Sequence, residues 1–550
     1  MAFVLAFLSI CMSSLLSALD LTSISTALPT MVSELEKSSF FNESSLPPLP
    51  TNLASINETQ ICNALVSENK AKVESFIWIG TAFALAGTAI LPWTGVLAQI
   101  WGRKPIFLLS LLLFAIGSAV CGSAQSMTVL IVGRVIQGLG DGGIISLSEI
   151  LIADMVPLSE RGTYEGLLGC VWALASAIGP LVGGVFSDRL TWRWLFYLNL
   201  PISLLAILLV AFCLKTRSPD LNVASKLGMM DWVGNITIII SLVGLTLALT
   251  WGGADYAWAT PQVLVPLVIG SILFVSFFVY EFTWAKNPSV PIELFSNMTS
   301  SSAYLGTFLH GLVVMAVIYV LPSYFQACFG VSVLKSSIMV LPLALTIAPF
   351  AIIMAVTIEV TQEYRIQNYV GWMLTVIGLG LMTMLNDHSK TAAWVGYQIP
   401  LGIGLGTNFV APQFPVLASI QPTMAAQGLA IFTFVSSLGQ TMGITIGSTV
   451  LQNSINRNLF RSCEKKLKGS STAAVAIERV HKLPPEIRKK IRKAFSTSFR
   501  SVWIATLPFA VLGLASCFFL KHYKLHDEVD EQYSAIRDRK PVDGSDVEKR

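Results

Sequence analysis

Apolar runs of about 20 residues recur from end to end of this 550-residue chain, broken by short polar gaps. A run of that length is what one α-helix needs to cross the ~30 Å hydrocarbon core of a bilayer. The runs are continuous rather than alternating, which excludes a transmembrane barrel. Inside lipid each backbone N–H and C=O must be satisfied within the segment, so such a chain folds as packed helices. Only 12% of its residues are charged, against roughly 25% in an average soluble domain. That excludes a soluble enzyme, a disordered protein and a disulfide-stapled secreted domain. The expected fold class is an all-α polytopic membrane protein.

The runs place fourteen helices at about 5–31, 75–98, 105–124, 127–152, 164–187, 194–214, 231–251, 262–282, 301–325, 335–357, 368–386, 392–412, 427–452 and 499–521. The first twenty residues imitate a signal peptide. They lack a basic start, however, and the run continues through Asp20 to Met31, so they read as span 1. An even count puts both termini on one side. Arg103, Lys104, Arg161, Lys215, Arg217, Lys226, Lys286 and Arg365 share that side with the tail 522–550. The other side's short loops hold Arg189, Arg193, Lys335 and Lys390. The excess of Lys and Arg assigns the termini to the cytosol. Loop 32–74 then lies outside and carries two glycosylation sequons, at Asn42 and Asn57.

Loop 453–498 also falls outside, although residues 453–500 hold thirteen Lys/Arg against three Glu. Long loops count less in the charge rule. Within it Ile487, Ile491, Phe495 and Phe499 recur every four residues, which predicts an amphipathic helix over 484–499. Its two readings are a cover over the outer mouth and a contact with anionic lipid.

Of the eight cysteines, Cys11, Cys121, Cys170, Cys213 and Cys517 lie inside apolar runs and read as small buried hydrophobes. There is no CxxC and no His/Cys cluster, so no metal site and no cofactor are expected. No nucleic-acid module is visible. Cys62 and Cys463 share the two long outer loops, where an oxidising environment favours a disulfide; two free thiols are the alternative.

Four segments carry chemistry. Span 1 ends in Leu19-Asp20-Leu21-Thr22…Ala27-Leu28-Pro29. A carboxylate inside an apolar helix is costly and marks a functional site by default, packing against Thr or Ser being the rival reading. Span 4 holds Leu130…Arg134…Gln137-Gly138…Gly140-Asp141. Either Asp20 or Asp141 can neutralise Arg134, as a fixed ion pair or a proton-linked one. After span 2 comes Gly95-Val-Leu-Ala-Gln99-Ile100-Trp-Gly102-Arg103-Lys104, with Glu149, Asp154 and Glu160 as possible partners for Arg103. Span 5 carries Gly166…Ala175…Gly179-Pro180…Gly183-Gly184, a flat face for close packing with a proline kink.

Together these segments resemble the major facilitator superfamily. They look most like its fourteen-span drug:proton antiporter branch, of the fungal multidrug and mycotoxin efflux type. The likeness runs over nearly the whole chain. It implies an N-terminal six-helix half (1–214), two extra spans (215–285), a C-terminal half (286–521) and a cytosolic tail (522–550). It implies proton coupling at Asp20, Arg134 and Asp141. A substrate cavity would be lined by Gln137, His310, Tyr324 and Gln326. The antiporter motif would be Gly166, Gly179, Pro180, Gly183 and Gly184. Gly95, Gly102, Arg103 and Lys104 would form a cytoplasmic latch, departing from the family where Gln99 and Ile100 replace an Asp and an Arg. Gly439, Gly443 and Gly447 echo the span 5 motif in the second half.

The implied function is proton-coupled efflux of amphipathic small organic compounds, such as a fungal secondary metabolite or toxin. Its partners would be that substrate, protons and the lipid bilayer, with no nucleic acid. A monomer in the plasma membrane is expected. The competing reading is an importer of iron chelates or of basic amino acids into a vacuole. A membrane enzyme would need a histidine constellation, and His310, His388, His481, His522 and His526 are scattered.

Overall fold

The computed structural model describes residues 2–40, 74–156, 161–214, 230–252, 256–421, 424–459 and 485–524. The first six long helices are α1 (Ala2–Phe40), α2 (Glu74–Trp101), α3 (Arg103–Gly122), α4 (Met127–Met155), α5 (Arg161–Arg189) and α6 (Arg193–Cys213). Next come α7 (Trp232–Trp251) and α8 (Pro261–Thr283). The rest are α9 (Met298–Tyr324), α10 (Val333–Thr361), α11 (Arg365–Met382), α12 (Thr391–Val410), α13 (Ala425–Leu459) and α14 (Pro485–Ser516). No strand occurs among the described residues.

Local chemistry sets several boundaries. The side chains of Ser126, Asp231, Asn297 and Ser332 accept backbone N–H groups at the starts of α4, α7, α9 and α10, relieving donors a helix start leaves unpaired. Pro261 opens α8, where its missing N–H costs nothing. Gln362, at φ 56°, ends α10.

Eleven of these helices are long and apolar enough to cross a membrane. α5, α11 and α12 fall outside that set, so the expected count of fourteen spans stands at eleven by this measure among the described residues. In α11 and α12, polar Gln367, Asn368, Gln398 and Asn408 interrupt the apolar runs.

The ends differ most from expectation. The amphipathic stretch and the last span form one helix, α14, rather than a separate cover over the mouth. No breaker separates the two parts, and Ile491, Phe495 and Phe499 are buried, with the Phe499 ring 5.5 Å from that of Tyr324. Asn42, Asn57, Cys62 and Cys463 lie outside the described residues, as do Glu160 and the tail beyond 524.

α1 packs on α5 and α6, and α4 lies between α2 and α3. α9 packs on α13 and α14, α10 on α12, and α11 on α12 and α14. These two groups meet along two seams, α5 on α10 and α2 on α13. α7 and α8 dock where α2 meets α13: Trp93 and Trp232 stack edge to face at 5.3 Å, and Thr449 bonds the Leu249 carbonyl at 3.0 Å.

One face of the bundle holds the N-terminal end of α1 and the segment after α14. There Phe3 and Phe7 pack on Tyr164, and Tyr364 donates to the Lys521 carbonyl at 2.7 Å. The opposite face holds Glu34, bound by Trp192 Nε1 at 2.9 Å, and Tyr324, donating to the Asn386 carbonyl at 3.1 Å.

Candidate functional site

Asp20 lies about 27 Å along α1 from its start, by helical rise, and is buried. One carboxylate oxygen accepts Arg134 Nη1 at 2.5 Å. The other accepts Gln137 Nε2 at 2.8 Å and Asn199 Nδ2 at 2.7 Å. Arg134 also donates to Gln137 Oε1 at 2.7 Å and to the Ile79 carbonyl at 3.1 Å, and its guanidinium sits 3.9 Å from the Phe83 ring centroid. Gln137 Nε2 reaches Ser118 as well, at 2.9 Å. The ion-paired side chains are each 1% exposed. Residues from α1, α2, α3, α4 and α6 thus surround one desolvated pair, whose charges are tolerated in an apolar bundle because each is neutralised and hydrogen-bonded.

The glycines of α4 make this possible. A Cβ on Gly138 would fall on the Phe83 carbonyl, and one on Gly140 on the backbone of α3 at Phe114. Both neighbours approach α4 closely enough to enclose Arg134.

Asp141 does not pair with Arg134. It lies on the same face of α4, about 10 Å further along, beyond reach of a guanidinium already held by Asp20. It sits beside Ser17 of α1 and Gly87 of α2, and its Oδ1 has no hydrogen-bond partner among the described residues.

The segment after α2 is pinned as a turn. Gly102 adopts φ 93°, open to glycine at little cost. Of the three partners considered for Arg103, the structure selects Asp154, with Nε–Oδ2 at 3.0 Å and side chains 2% and 7% exposed. Lys104 caps the end of α6 through the Ala211 carbonyl at 2.6 Å. Glu149 instead accepts Gln413 Nε2 across the groups at 3.4 Å, and Gly95 faces Ala430. Asp154→Asn is expected to lower stability by about 3–5 kcal/mol, because it strands a buried guanidinium. The double variant Arg103→Met/Asp154→Leu should recover most of that loss. Thermal unfolding in detergent checks this, and equal losses in both variants would contradict it.

The four residues expected to line a cavity are not brought together. Gln137 belongs to the ion-pair network. His310 Nε2 is 3.0 Å from the Leu405 carbonyl, and its ring meets Phe409, which in turn meets Trp172 across the seam. Tyr324 is packed among Phe325, Phe329 and Phe499 near the far face. Gln326 donates to Ser336 at 3.0 Å. Between α1, α5, α9 and α10 lies an apolar cavity of about 20 Å³ bounded by Thr22, Pro180, Ile318, Pro322 and Leu343. Drug-sized ligands need roughly 300–1,000 Å³, so the seams must part for a substrate to enter here.

Asn199, Ser118 and Phe83 were not anticipated. Asn199 had a readable signal, a lone amide in an otherwise apolar span. Ser118 and Phe83 had none, because their residue types are ordinary in such helices.

Residues 10–444 match the Major Facilitator Superfamily. The efflux pump FUS6 of Gibberella moniliformis is 34% identical over 98% of this chain and 91% of its own length. The MFS-type efflux pump LUC4 of a Fusarium species is 34% identical, covering 96% and 90%. The acurin A biosynthesis cluster MFS-type transporter of Aspergillus aculeatus is 33% identical, covering 96% and 91%. Among solved structures, the proton:xylose symporter XylE aligns with a TM-score of 0.55 at 15% identity, over 95% of this chain and 97% of that one. The human organic anion transporter MFSD10 gives 0.54 at 15%, over 94% and 99%. The helical architecture, the buried pair between α1 and α4 and these full-length likenesses agree: the chain belongs to the major facilitator superfamily and is a membrane transporter.

Proposed function

We propose that this transporter exports an amphipathic small organic compound, of the secondary-metabolite kind, in exchange for protons. The observation that carries the reading is the Asp20–Arg134 pair, closed off inside the first helical group. Fungal relatives named as efflux pumps, alignable over nearly the full chain, support the direction of transport.

A carboxylate at this depth has two affordable states: ionised beside Arg134, or protonated and neutral. Protonation releases the guanidinium and changes what α4 holds on to. Asp141, a buried carboxylate of α4, is a further proton site on the same path. Two six-helix halves, 1–214 and 286–521, would rock about the seams to expose the space between α1, α5, α9 and α10 alternately. The face bearing the termini is cytosolic in this reading, the membrane is the plasma membrane, and loop 32–74 with Asn42 and Asn57 is outside.

The test is efflux of a panel of amphipathic dyes and metabolites from transporter-deleted yeast expressing the chain, with and without a protonophore. Protonophore-sensitive loss of at least one compound is expected. Efflux indifferent to the protonophore would refute proton coupling, and proton-driven accumulation would reverse the direction.

A further inference from the structure

The ion pair and the second helical group both meet α2 along one stretch, Ile79–Phe83, whose Gly80 and Phe83 are neighbours on the helix surface. Arg134 bonds the Ile79 carbonyl and stacks on Phe83. Beside it the Tyr319 side chain of α9 enters a notch at Gly80, where an added Cβ would lie 2.7 Å from the hydroxyl oxygen. Tyr319 is 8% exposed, and its hydroxyl has no hydrogen-bond partner among the described residues. Burying a hydroxyl without a partner is costly, so another state of the protein is expected to satisfy it. The strongest donor nearby is Arg134, which acts electrostatically on this hydroxyl. Gly80 is six residues from the start of α2, about 9 Å by helical rise, so the notch lies in the half of the bundle towards loop 32–74.

From this geometry we infer that Tyr319 is the positioning residue that couples protonation of Asp20 to closure of the mouth on that face. The inference rests on the proton-coupled reading above. With Asp20 ionised, Arg134 is committed to the carboxylate and the Tyr319 hydroxyl gains nothing from the notch. When Asp20 takes a proton, a guanidinium N–H is freed, and the Tyr319 oxygen accepts it. The ring already sits in the notch beside the intact Asp20–Arg134 pair, without that bond; gaining it holds the second group on α2 and keeps the mouth shut. This order suits an exporter, which must close its outer mouth after releasing substrate and taking up a proton. The charged and titratable groups around Asp20 are Arg134 and Asp141 of α4 and Cys121 of α3, with Tyr319 beside α2; α6 contributes the neutral Asn199.

Tyr319→Phe keeps the ring in the notch and removes only the acceptor. The readout is labelling of Ile318→Cys, which borders the central cavity, by an impermeant maleimide on whole cells, corrected for the chain without that cysteine. With Tyr319 present, lowering external pH from 7.5 to 5.5 is expected to reduce the labelling rate roughly tenfold, the scale of one hydrogen bond to a charged group. In Tyr319→Phe the rate should change less than about twofold. Gly80→Ala, which crowds the ring out of the notch, should hold the rate high at both pH values. An unchanged pH response in Tyr319→Phe overturns the inference while leaving proton coupling intact. No pH response with Tyr319 present overturns the proton-coupled reading and the inference with it.

Discussion

Asp20→Asn is expected to abolish proton-driven efflux while the protein still reaches the membrane. The three side chains facing this carboxylate, Arg134, Gln137 and Asn199, all present N–H donors to it. An amide at position 20 turns one acceptor into a donor, so whichever way it lies, one N–H meets another. The buried guanidinium also loses its counter-charge, a loss of about 3–5 kcal/mol for a broken buried pair. A lower unfolding temperature should therefore accompany the lost transport, and Asp20→Glu should retain part of both. Arg134→Lys should outperform Arg134→Ala, because it keeps the charge while losing the bond to Ile79. Efflux by correctly localised Asp20→Asn at the normal rate would remove Asp20 from the mechanism.

The pair itself was legible in one dimension. An Asp in an apolar run and an Arg in another must be reconciled with lipid, and each is the other's cheapest solution. What spacing could not decide was which carboxylate Arg134 takes. Asp141 shares its helical face, but face is an angular property, and the rise along the helix separates the two. Asp20 is distant in sequence and comes within reach only because α1 packs on α4, while Gly138 and Gly140 let α2 and α3 close around the pair. Likewise, Arg103 had three candidate carboxylates within one stretch, and tertiary packing selected Asp154.

The cavity residues were the least legible. The family likeness implies His310, Tyr324 and Gln326 as cavity residues, but a polar group in an apolar helix has two uses. It can face a substrate or satisfy a neighbouring helix, and sequence pattern does not distinguish them. In this conformation each is satisfied by the protein: His310 by Leu405, Tyr324 by Asn386 and Gln326 by Ser336. Helix ends failed for a related reason. An amphipathic stretch beside a span reads as a surface helix, yet Phe495 and Phe499 found cover against the end of α9, so α14 simply continues.

The glycines of α5 separate two kinds of failure, and Gly183→Leu is expected to show the more severe one. Gly179 and Gly183 are one turn apart and face α1. A Cβ at Gly183 would fall on the Ser23 carbonyl and the Thr26 hydroxyl, and one at Gly179 on the Thr22 hydroxyl. Thr22 and Thr26 reach back to the carbonyls of Ala175 and Pro180, at 3.2 and 3.4 Å. This contact fixes the part of α1 that carries Asp20. The obstacle is backbone, which no rotamer change relieves, so even Gly183→Ala should cost about 1–3 kcal/mol. Gly183→Leu should lose both transport and thermal stability. Gly184 points about 100° further round the helix, across the seam, where a Cβ would lie 2.9 Å from Leu334 Cα of α10. Gly184→Leu should block transport with a much smaller change in unfolding temperature, because in the rocking proposed above it obstructs a surface that slides rather than one that holds a helix group together. Gly166→Ala meets only ordinary contacts, 3.5 Å from Ala355, and should transport normally. Parallel efflux and thermal unfolding on Gly183→Leu, Gly184→Leu and Gly166→Ala check the division. Normal turnover in Gly183→Leu would reduce this segment to filler, and equal destabilisation by Gly183→Leu and Gly184→Leu would show that the seam is a fixed core rather than a moving one.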